Sequence, residues 1–252
     1  MKVALCLSGF IGNINKWIDG PEIDYHYGYE EYIKKNILQG YDVDVFIHSW
    51  STTHKNGIIK LYNPKGSLFE PNVDFKLRGV IEKEQLPTPY AVKSMWYSRK
   101  KSIELVEAYE KQNSMKYDFV LLTRFDIALF KKFKFEQYDS NKIYIAGPVL
   151  GKRLPNGYTI PHKINDMYFL ANTKNMKKIV GLYETYEDIA VKENDNWPLE
   201  SVSSHVVITN HFLNEGLFSI TDTLFDRIWQ SSTAWSGDVR FLRSDPNVKI
   251  LK

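Results

Sequence analysis

The residues with the clearest potential for chemistry are Arg124-Phe125-Asp126, which follow the apolar run YDFVLL at residues 117–122. A carboxylate at the end of a buried strand can bind a divalent cation, and that cation can bridge the two phosphates of a nucleoside diphosphate. The forked guanidinium of Arg124 can contact a phosphate directly. We therefore expect a diphosphate site here, with Mn²⁺ or Mg²⁺ as the candidate cofactor. The alternative is that Arg124 and Asp126 form an ion pair with a purely structural role at the end of the strand.

Two other strand ends carry candidate nucleotide contacts. Ser8-Gly9-Phe10 follows the apolar run at residues 2–7, and a glycine there lets free backbone amides approach a nucleotide closely. His48 and Trp50 follow a second apolar run, where Trp50 can offer a stacking face to a base. The alternatives are an ordinary turn and a core aromatic residue.

Tyr97 and Lys101 lie one helical turn apart near the start of a long helix, so they share one side of it. A helix start with lysine and hydroxyl groups suits a diphosphate, and Lys93 and Lys100 belong to the same segment. The alternative is that these lysines are simply solvated.

The elements that must position these residues alternate between strand and helix. Strands are predicted at residues 2–7, 42–48, 117–122, 142–145 and 166–170, and helices at 29–38, 94–112, 175–192 and 201–215. Gly40 and Gly216 suit helix ends, and Thr173 is the predicted N-cap of the third helix. Residues 51–89 are expected to be irregular, with a short strand near 73–77 or 79–81. This order predicts an α/β fold with a Rossmann-like, mostly parallel sheet flanked by helices, which binds ligands at its strand ends.

Composition narrows the functional classes. The 252 residues are 43% hydrophobic and 25% charged, as in ordinary globular domains, and the net charge of +3 is scattered, which argues against a nucleic-acid partner. The single cysteine, Cys6, permits no internal disulfide and favours a cytoplasmic location. No apolar stretch is long enough to span a membrane, so we expect at most peripheral membrane contact. Neither a dinucleotide-binding glycine motif nor a hydrolase nucleophile motif is present.

The segments LCLSG, DVFIHSW, SMWYSRKKSIEL, YDFVLLTRFD, INDMYFL and WPLES follow one another along the chain. In this order they resemble GT-A-type glycosyltransferases of bacterial and viral surface-polysaccharide biosynthesis, over nearly the whole chain. The resemblance implies one GT-A-like domain, residues 1–252, with a nucleotide-sugar donor half at 1–130 and an acceptor half at 131–252. The family motif is commonly Asp-x-Asp. Here Arg124 takes its first position, so it is expected to assume part of the cation's electrostatic task.

The resemblance also implies roles for later residues. In the enzymes that this chain resembles, an acidic residue after the donor site accepts the proton of the acceptor hydroxyl. Asp166 is expected to be this base, and Glu200 to bind the acceptor or serve as the alternative base. His211 lies where some of these enzymes place a metal-binding histidine, so Asp126 and His211 are the expected metal ligands. His162 and His205 are further candidates for a ligand or a hydrogen bond.

We therefore predict an enzyme that moves a sugar from a nucleoside diphosphate sugar to a saccharide hydroxyl. The alternatives are transfer of another phosphate-linked group and a non-catalytic nucleotide- or carbohydrate-binding protein. Asp126→Ala is expected to abolish transfer and to leave the fold intact, on the premise that Asp126 sits at an edge of the sheet rather than in its core.

Overall fold

The first strand, β1 (Lys2–Gly9), lies at the centre of the sheet because its side chains are buried on both faces from Val3 to Ser8. It pairs in parallel with β2 (Asp42–Ser49) on one side and with β4 (Phe119–Arg124) on the other. The fold is taken from a computed structural model, which describes residues 1–11, 24–75, 77, 89–146, 148–149, 163–194, 204–223 and 239–241.

The main sheet has seven strands in the order β10-β6-β9-β4-β1-β2-β3. Strand β9 (Phe169–Ala171) runs antiparallel to both of its neighbours, and the other pairings are parallel. The predicted α/β class with a mostly parallel sheet flanked by helices is therefore confirmed. The remaining strands are β3 (Gly66–Phe69), β5 (Ile127–Leu129), β6 (Ile143–Ile145), β7 (Pro148–Val149), β8 (Lys163–Ile164), β10 (Thr221–Thr223) and β11 (Val239–Phe241).

The helices lie between these strands in the chain. Their bounds are α1 (Tyr25–Gly28), which continues as a wider π-helical segment (Tyr29–Leu38), α2 (Lys55–Tyr62), α3 (Pro89–Gln112), α4 (Thr173–Val180), α5 (Leu182–Asn194) and α6 (Ser204–Asn214). Short 3₁₀ turns occur at Thr52–His54, Phe135–Gln137 and Leu217–Ile220. Pro89 starts α3 five residues earlier than predicted, because proline fits the first turn of a helix, where its missing N–H costs nothing.

Each face of the sheet packs against its own hydrophobic core. Val3, Leu5 and Leu7 of β1 point into one core, together with residues of the π-helical segment and α2. Ala4 and Cys6 point into the other core, with α3, α4, α5 and α6. This alternation follows from the two-residue period of a strand. The buried position raises the pKa of the Cys6 thiol, so it behaves as a small core residue.

Three sequence predictions about elements were wrong. Residues 51–89, expected to be irregular, contain α2 and β3. The helix predicted at 175–192 is two helices that meet at Gly181. Its N-cap is Asn172, whose side chain accepts the Asn175 amide over 2.8 Å, while the Thr173 hydroxyl donates to Glu110 instead.

The left-handed conformation expected of Gly40 is confirmed by its φ of 96°, and Gly216, predicted to end a helix, also has a positive φ of 63°. In the part of the chain that the structure describes, no helix combines the length and apolar character that crossing a membrane requires.

Candidate functional site

The carboxyl ends of β1, β2 and β4 bring most of the predicted site residues together. From β1 the chain moves to β2 and β3 on one side and returns to β4 on the other, so the order reverses between β1 and β4. A place where the strand order reverses is called a topological switch point. In parallel sheets, ligands bind in the crevice outside the strand ends at this point. Ser8 at the end of β1 lies opposite Arg124 at the end of β4, and its hydroxyl donates to the Thr123 carbonyl over 3.2 Å.

Arg124 and Asp126 form a two-pronged ion pair. Arg124 Nε donates to Asp126 Oδ1 over 2.8 Å, and Nη2 donates to Oδ2 over 2.5 Å. Burial would lower the pKa of Arg124, but the carboxylates of Asp126 and Asp166 raise it. Asp126 is only 7% exposed, so the premise that it sits at an open edge of the sheet is wrong. Its replacement by alanine would leave a largely buried guanidinium short of a partner, and we now expect that change to destabilise the fold.

Arg99 on α3 is a residue that the sequence analysis missed. Its side chain is 1% exposed, Nη2 donates to the Asp166 carbonyl, and its guanidinium lies 4.5 Å from the Trp96 ring centre. Burial lowers the pKa of Arg99 to about 10, so it stays charged at neutral pH. A signal was present in the sequence. Trp96, Arg99 and Ile103 follow the i, i+3, i+7 spacing of a buried helix stripe, which puts the arginine on the apolar face.

Asp166 lies between positive groups. Burial would raise its pKa, but His205, Arg99 and Arg124 outweigh that effect and lower the pKa to about 2. His205 Nδ1 is 3.0 Å from the Ile164 carbonyl oxygen and 3.7 Å from Asp166 Oδ1, and its side chain is 41% exposed. At neutral pH, Asp166 is therefore a charged carboxylate beside an accessible imidazole. We call Arg99, Arg124, Asp126, Asp166 and His205 the strand-end charge cluster.

The loop after β1 is fixed by hydrogen bonds to its neighbours. Gly9 has a φ of 96°, its N–H donates to Ser98 Oγ over 2.8 Å, and its carbonyl accepts from Ser49 Oγ over 2.8 Å. The Ile11 N–H donates to Ser51 Oγ over 2.8 Å. The Gly9 amide expected to meet a nucleotide is therefore already used. The Phe10 amide, between these two, has no acceptor among the residues that the structure describes.

His48 is buried and is part of a chain of hydrogen bonds that starts at this loop. Its Nδ1 lies 2.7 Å from Ser98 Oγ and its Nε2 lies 2.9 Å from Glu70 Oε1. Burial lowers the pKa of His48, which keeps it neutral. Because a carboxylate only accepts, Nε2 carries the proton and Nδ1 accepts from the Ser98 hydroxyl. His48 therefore holds the β1 loop, α3 and the residue after β3 together.

Trp50 and Tyr97 belong to an aromatic cluster beside this chain. Trp50 is 4% exposed and stacks on Tyr97 with ring centres 5.4 Å apart. Burial and a hydrogen bond to Glu70 raise the pKa of Tyr97 to about 12. Lys101 Nζ lies 5.4 Å from the Tyr97 ring centre and 2.7 Å from Glu104. The cluster is completed by rings that, like Tyr97, are partly exposed: Phe10, Phe75 and Tyr183.

Two of the lysines considered for phosphate binding instead connect α3 to α5. Lys93 is buried, and its Nζ donates to the Tyr183 carbonyl over 2.9 Å and pairs with Glu187 at 3.1 Å. Lys100 pairs with Glu184. These contacts make both side chains parts of a helix–helix interface.

His211 has the geometry of a structural histidine. Its Nδ1 lies 3.2 Å from Thr185 Oγ1, and its Nε2 lies 2.7 Å from the Lys178 carbonyl oxygen. Burial lowers its pKa, so the ring is neutral and both nitrogens are occupied. This arrangement leaves no lone pair for a metal ion, contrary to the expected role.

The residues present at Asp126 do not fit a divalent cation. Both oxygens of Asp126 accept from Arg124, and Arg99 adds a second positive charge beside Asp166. Within the described ranges, no three His, Cys, Asp or Glu side chains converge on one point. Glu200 and His162 lie outside the described residues.

A groove of about 520 Å³ lies elsewhere, between the π-helical segment and α2, lined by Tyr29, Lys34, Gly57 and Lys60 among others. None of its lining residues belongs to the strand-end charge cluster or to the aromatic cluster.

No protein-family model matches the chain, and no curated protein matches it with significance. The geometry of these strand ends is therefore the basis for assigning a function.

Proposed function

We propose that this protein is a GT-A-type glycosyltransferase that moves a sugar from a nucleoside diphosphate sugar to a saccharide hydroxyl. The observation that carries the proposal is the strand-end charge cluster at the switch point of a mostly parallel sheet. Arginine groups at this position suit a diphosphate, because the guanidinium fork matches phosphate oxygens. The partly exposed rings of the aromatic cluster suit a nucleoside base or a sugar face.

In the proposed reaction, the acceptor oxygen forms a bond to the anomeric carbon as the bond from that carbon to the phosphate oxygen breaks. The nucleoside diphosphate leaves with the bonding electrons, and its growing negative charge is stabilised by Arg124. The proton of the acceptor hydroxyl passes to a base. Asp126 has an indirect part, since it holds the guanidinium of Arg124 in one orientation.

The proton acceptor follows from the electrostatics around Asp166. A carboxylate with a pKa of about 2 is a weak base at neutral pH, where a base with a pKa near 7 is most effective. His205, whose Nδ1 lies 3.7 Å from Asp166 Oδ1 and whose side chain is partly exposed, is better placed to accept the proton, and Asp166 would then stabilise the imidazolium. Glu200 remains the alternative that the sequence resemblance implies.

The proposal is tested by incubating the protein with a panel of UDP- and GDP-sugars and saccharide acceptors and measuring product mass. We expect transfer from at least one donor. Asp126→Asn should reduce transfer at least about tenfold, because Arg124 loses the group that holds it in the orientation needed as the leaving group departs, whatever the effect on binding of the diphosphate itself. Asp188→Asn, which removes a carboxylate from the exposed side of α5, is the matched control and should transfer normally. Equal transfer by both variants would show that Asp126 does not take part in the reaction.

A second candidate, a non-catalytic nucleotide-binding protein, is favoured by two observations. The low pKa of Asp166 makes it a poor base, and Arg124 replaces the first carboxylate of the expected motif. Such a protein would be stabilised by a nucleotide sugar in a thermal shift measurement without releasing product. The mass of the product also separates sugar transfer from transfer of another phosphate-linked group.

A further inference from the structure

Three side chains near Asp166 bury N–H groups that have no acceptor. Among the described residues, these are Nε and Nη1 of Arg99, Nε1 of Trp96 and Nδ2 of Asn165. Trp96 and Arg99 are in contact, and Arg99 reaches the carbonyl of Asp166, the residue next to Asn165. These N–H groups lie on neighbouring residues and can only donate, whereas the buried hydroxyl of Ser204, which lies beside Asp166, can donate or accept.

Such groups are costly. A buried donor without a partner costs about 1–3 kcal/mol, and more when the group is charged. Native proteins rarely leave several together unless a ligand, an ion or a water molecule completes them. A group of N–H donors with one guanidinium among them suits an acceptor-rich anion.

The neighbouring charges indicate where that anion can enter. Arg124 belongs to the same cluster, and its side chain is 25% exposed, so the cluster reaches the surface at this residue. Both oxygens of Asp126 accept hydrogen bonds from Arg124, and the carbonyl of Asp166 accepts from Arg99. Two guanidinium groups thus stand where the sequence resemblance implies a metal ion.

We propose that Arg99, Arg124 and the Asn165 amide bind a pyrophosphate-type anion without a divalent cation. The identification of this anion as the diphosphate of a nucleotide sugar rests on the proposed function. Guanidinium groups bind phosphate oxygens through two parallel N–H bonds, and they supply the positive charge that a cation would otherwise bring. Asp126 then competes with the anion for Arg124 and does not ligate a metal.

The two possible roles of Asp126 predict opposite effects of one substitution on diphosphate binding. If Asp126 ligated a cation, Asp126→Asn would weaken diphosphate binding. Because Asp126 instead neutralises Arg124, the same substitution should strengthen the binding of pyrophosphate severalfold. Arg124→Gln should weaken it by about tenfold or more, since it removes a charge-assisted pair of hydrogen bonds.

The experiment measures pyrophosphate binding to the whole chain by calorimetry and by thermal shift, once with EDTA and once with Mn²⁺. Wild-type protein should bind equally well in both conditions. Arg99→Gln should bind more weakly if it folds, and the comparison of wild-type protein with and without Mn²⁺ needs no variant. Lys177→Gln is the control, because it removes one positive charge from the exposed side of α4, where Lys177 pairs with Glu107.

Binding that needs Mn²⁺, absence of binding in both conditions, or weaker binding by Asp126→Asn would overturn the assignment. Pyrophosphate binding in EDTA by a protein that transfers no sugar would leave the assignment standing and remove the proposed function. Sugar transfer that depends on Mn²⁺ would leave the proposed function standing and would overturn the assignment of a metal-free anion site. The two proposals can therefore fail separately.

Discussion

Asp166 shows how the charges of neighbouring side chains set the properties of one residue. Burial alone would make its carboxyl group hard to ionise, yet His205, Arg99 and Arg124 hold it charged, with a pKa of about 2. A carboxylate whose pKa is lower in the folded than in the unfolded chain stabilises the folded state above its unfolded pKa. That contribution disappears as the pH falls through the folded value.

We expect the stability difference between wild-type protein and Asp166→Asn to shrink as the pH falls from about 4 to about 2. The shift from 3.8 to about 2 corresponds to roughly 2 kcal/mol of pH-dependent stability. Urea unfolding of both proteins at neutral pH and at several acidic pH values measures this difference. A difference that stays constant down to the lowest pH would show that the carboxylate of Asp166 is not held charged by its neighbours.

Helix α3 is the element that organises the candidate site. Ser98 joins the β1 loop to His48, Arg99 reaches Asp166, and Tyr97 carries the partly exposed ring of the aromatic cluster. Three consecutive residues thus contact three different parts of the site. This is possible because α3 packs against β1 and β2, and successive side chains of a helix point about 100° apart.

Ser98→Ala should destabilise the protein by about 1–3 kcal/mol, because the Gly9 amide and His48 Nδ1 both lose their buried partner. Ser102→Ala is the matched control one turn later on α3. The Ser102 hydroxyl donates to the carbonyl of Arg99 in its own helix and holds no loop, so we expect a loss below about 1 kcal/mol. Denaturant unfolding measures both, and equal losses would refute the role of Ser98 as the link between loop and helix.

At the scale of the whole molecule, the two hydrophobic cores share their central strands. Alternate residues of β1 and β4 enter opposite cores: Phe119 and Leu121 point to one side, and Val120 and Leu122 to the other. Neither core can open without exposing the same two strands. The described part of the chain should therefore unfold as one cooperative unit.

Ile37→Ala in one core and Ile179→Ala in the other should each lower the free energy of unfolding by about 2–5 kcal/mol. In both variants, far-ultraviolet and near-ultraviolet circular dichroism should report a single coincident transition. Two separate transitions in either variant would mean that the cores are independent.

Much of the fold could be predicted from the sequence because the signals are local. A strand buried on both faces, such as residues 3–7, has a continuous apolar sequence. Gly40 and Gly216 mark helix ends because glycine adopts a positive φ without steric cost. Residues 55–62 were mistaken for a loop because their glycine and the asparagine and proline after them are typical of turns, whereas packing of Ile58 and Tyr62 into the core stabilises a helix.

The sequence by itself determined the α/β class, the central strands and the position of Arg124 and Asp126 at a strand end. Only the tertiary structure decided which charges meet. Arg99 lies 25 residues before Arg124 and 67 before Asp166, and no local pattern encodes an approach between residues so far apart in the chain. The packing of α3 on the sheet brings them together, and burial among these partners fixes their charge states. Residue types thus indicate which chemistry is available, and the packing decides which groups can carry it out.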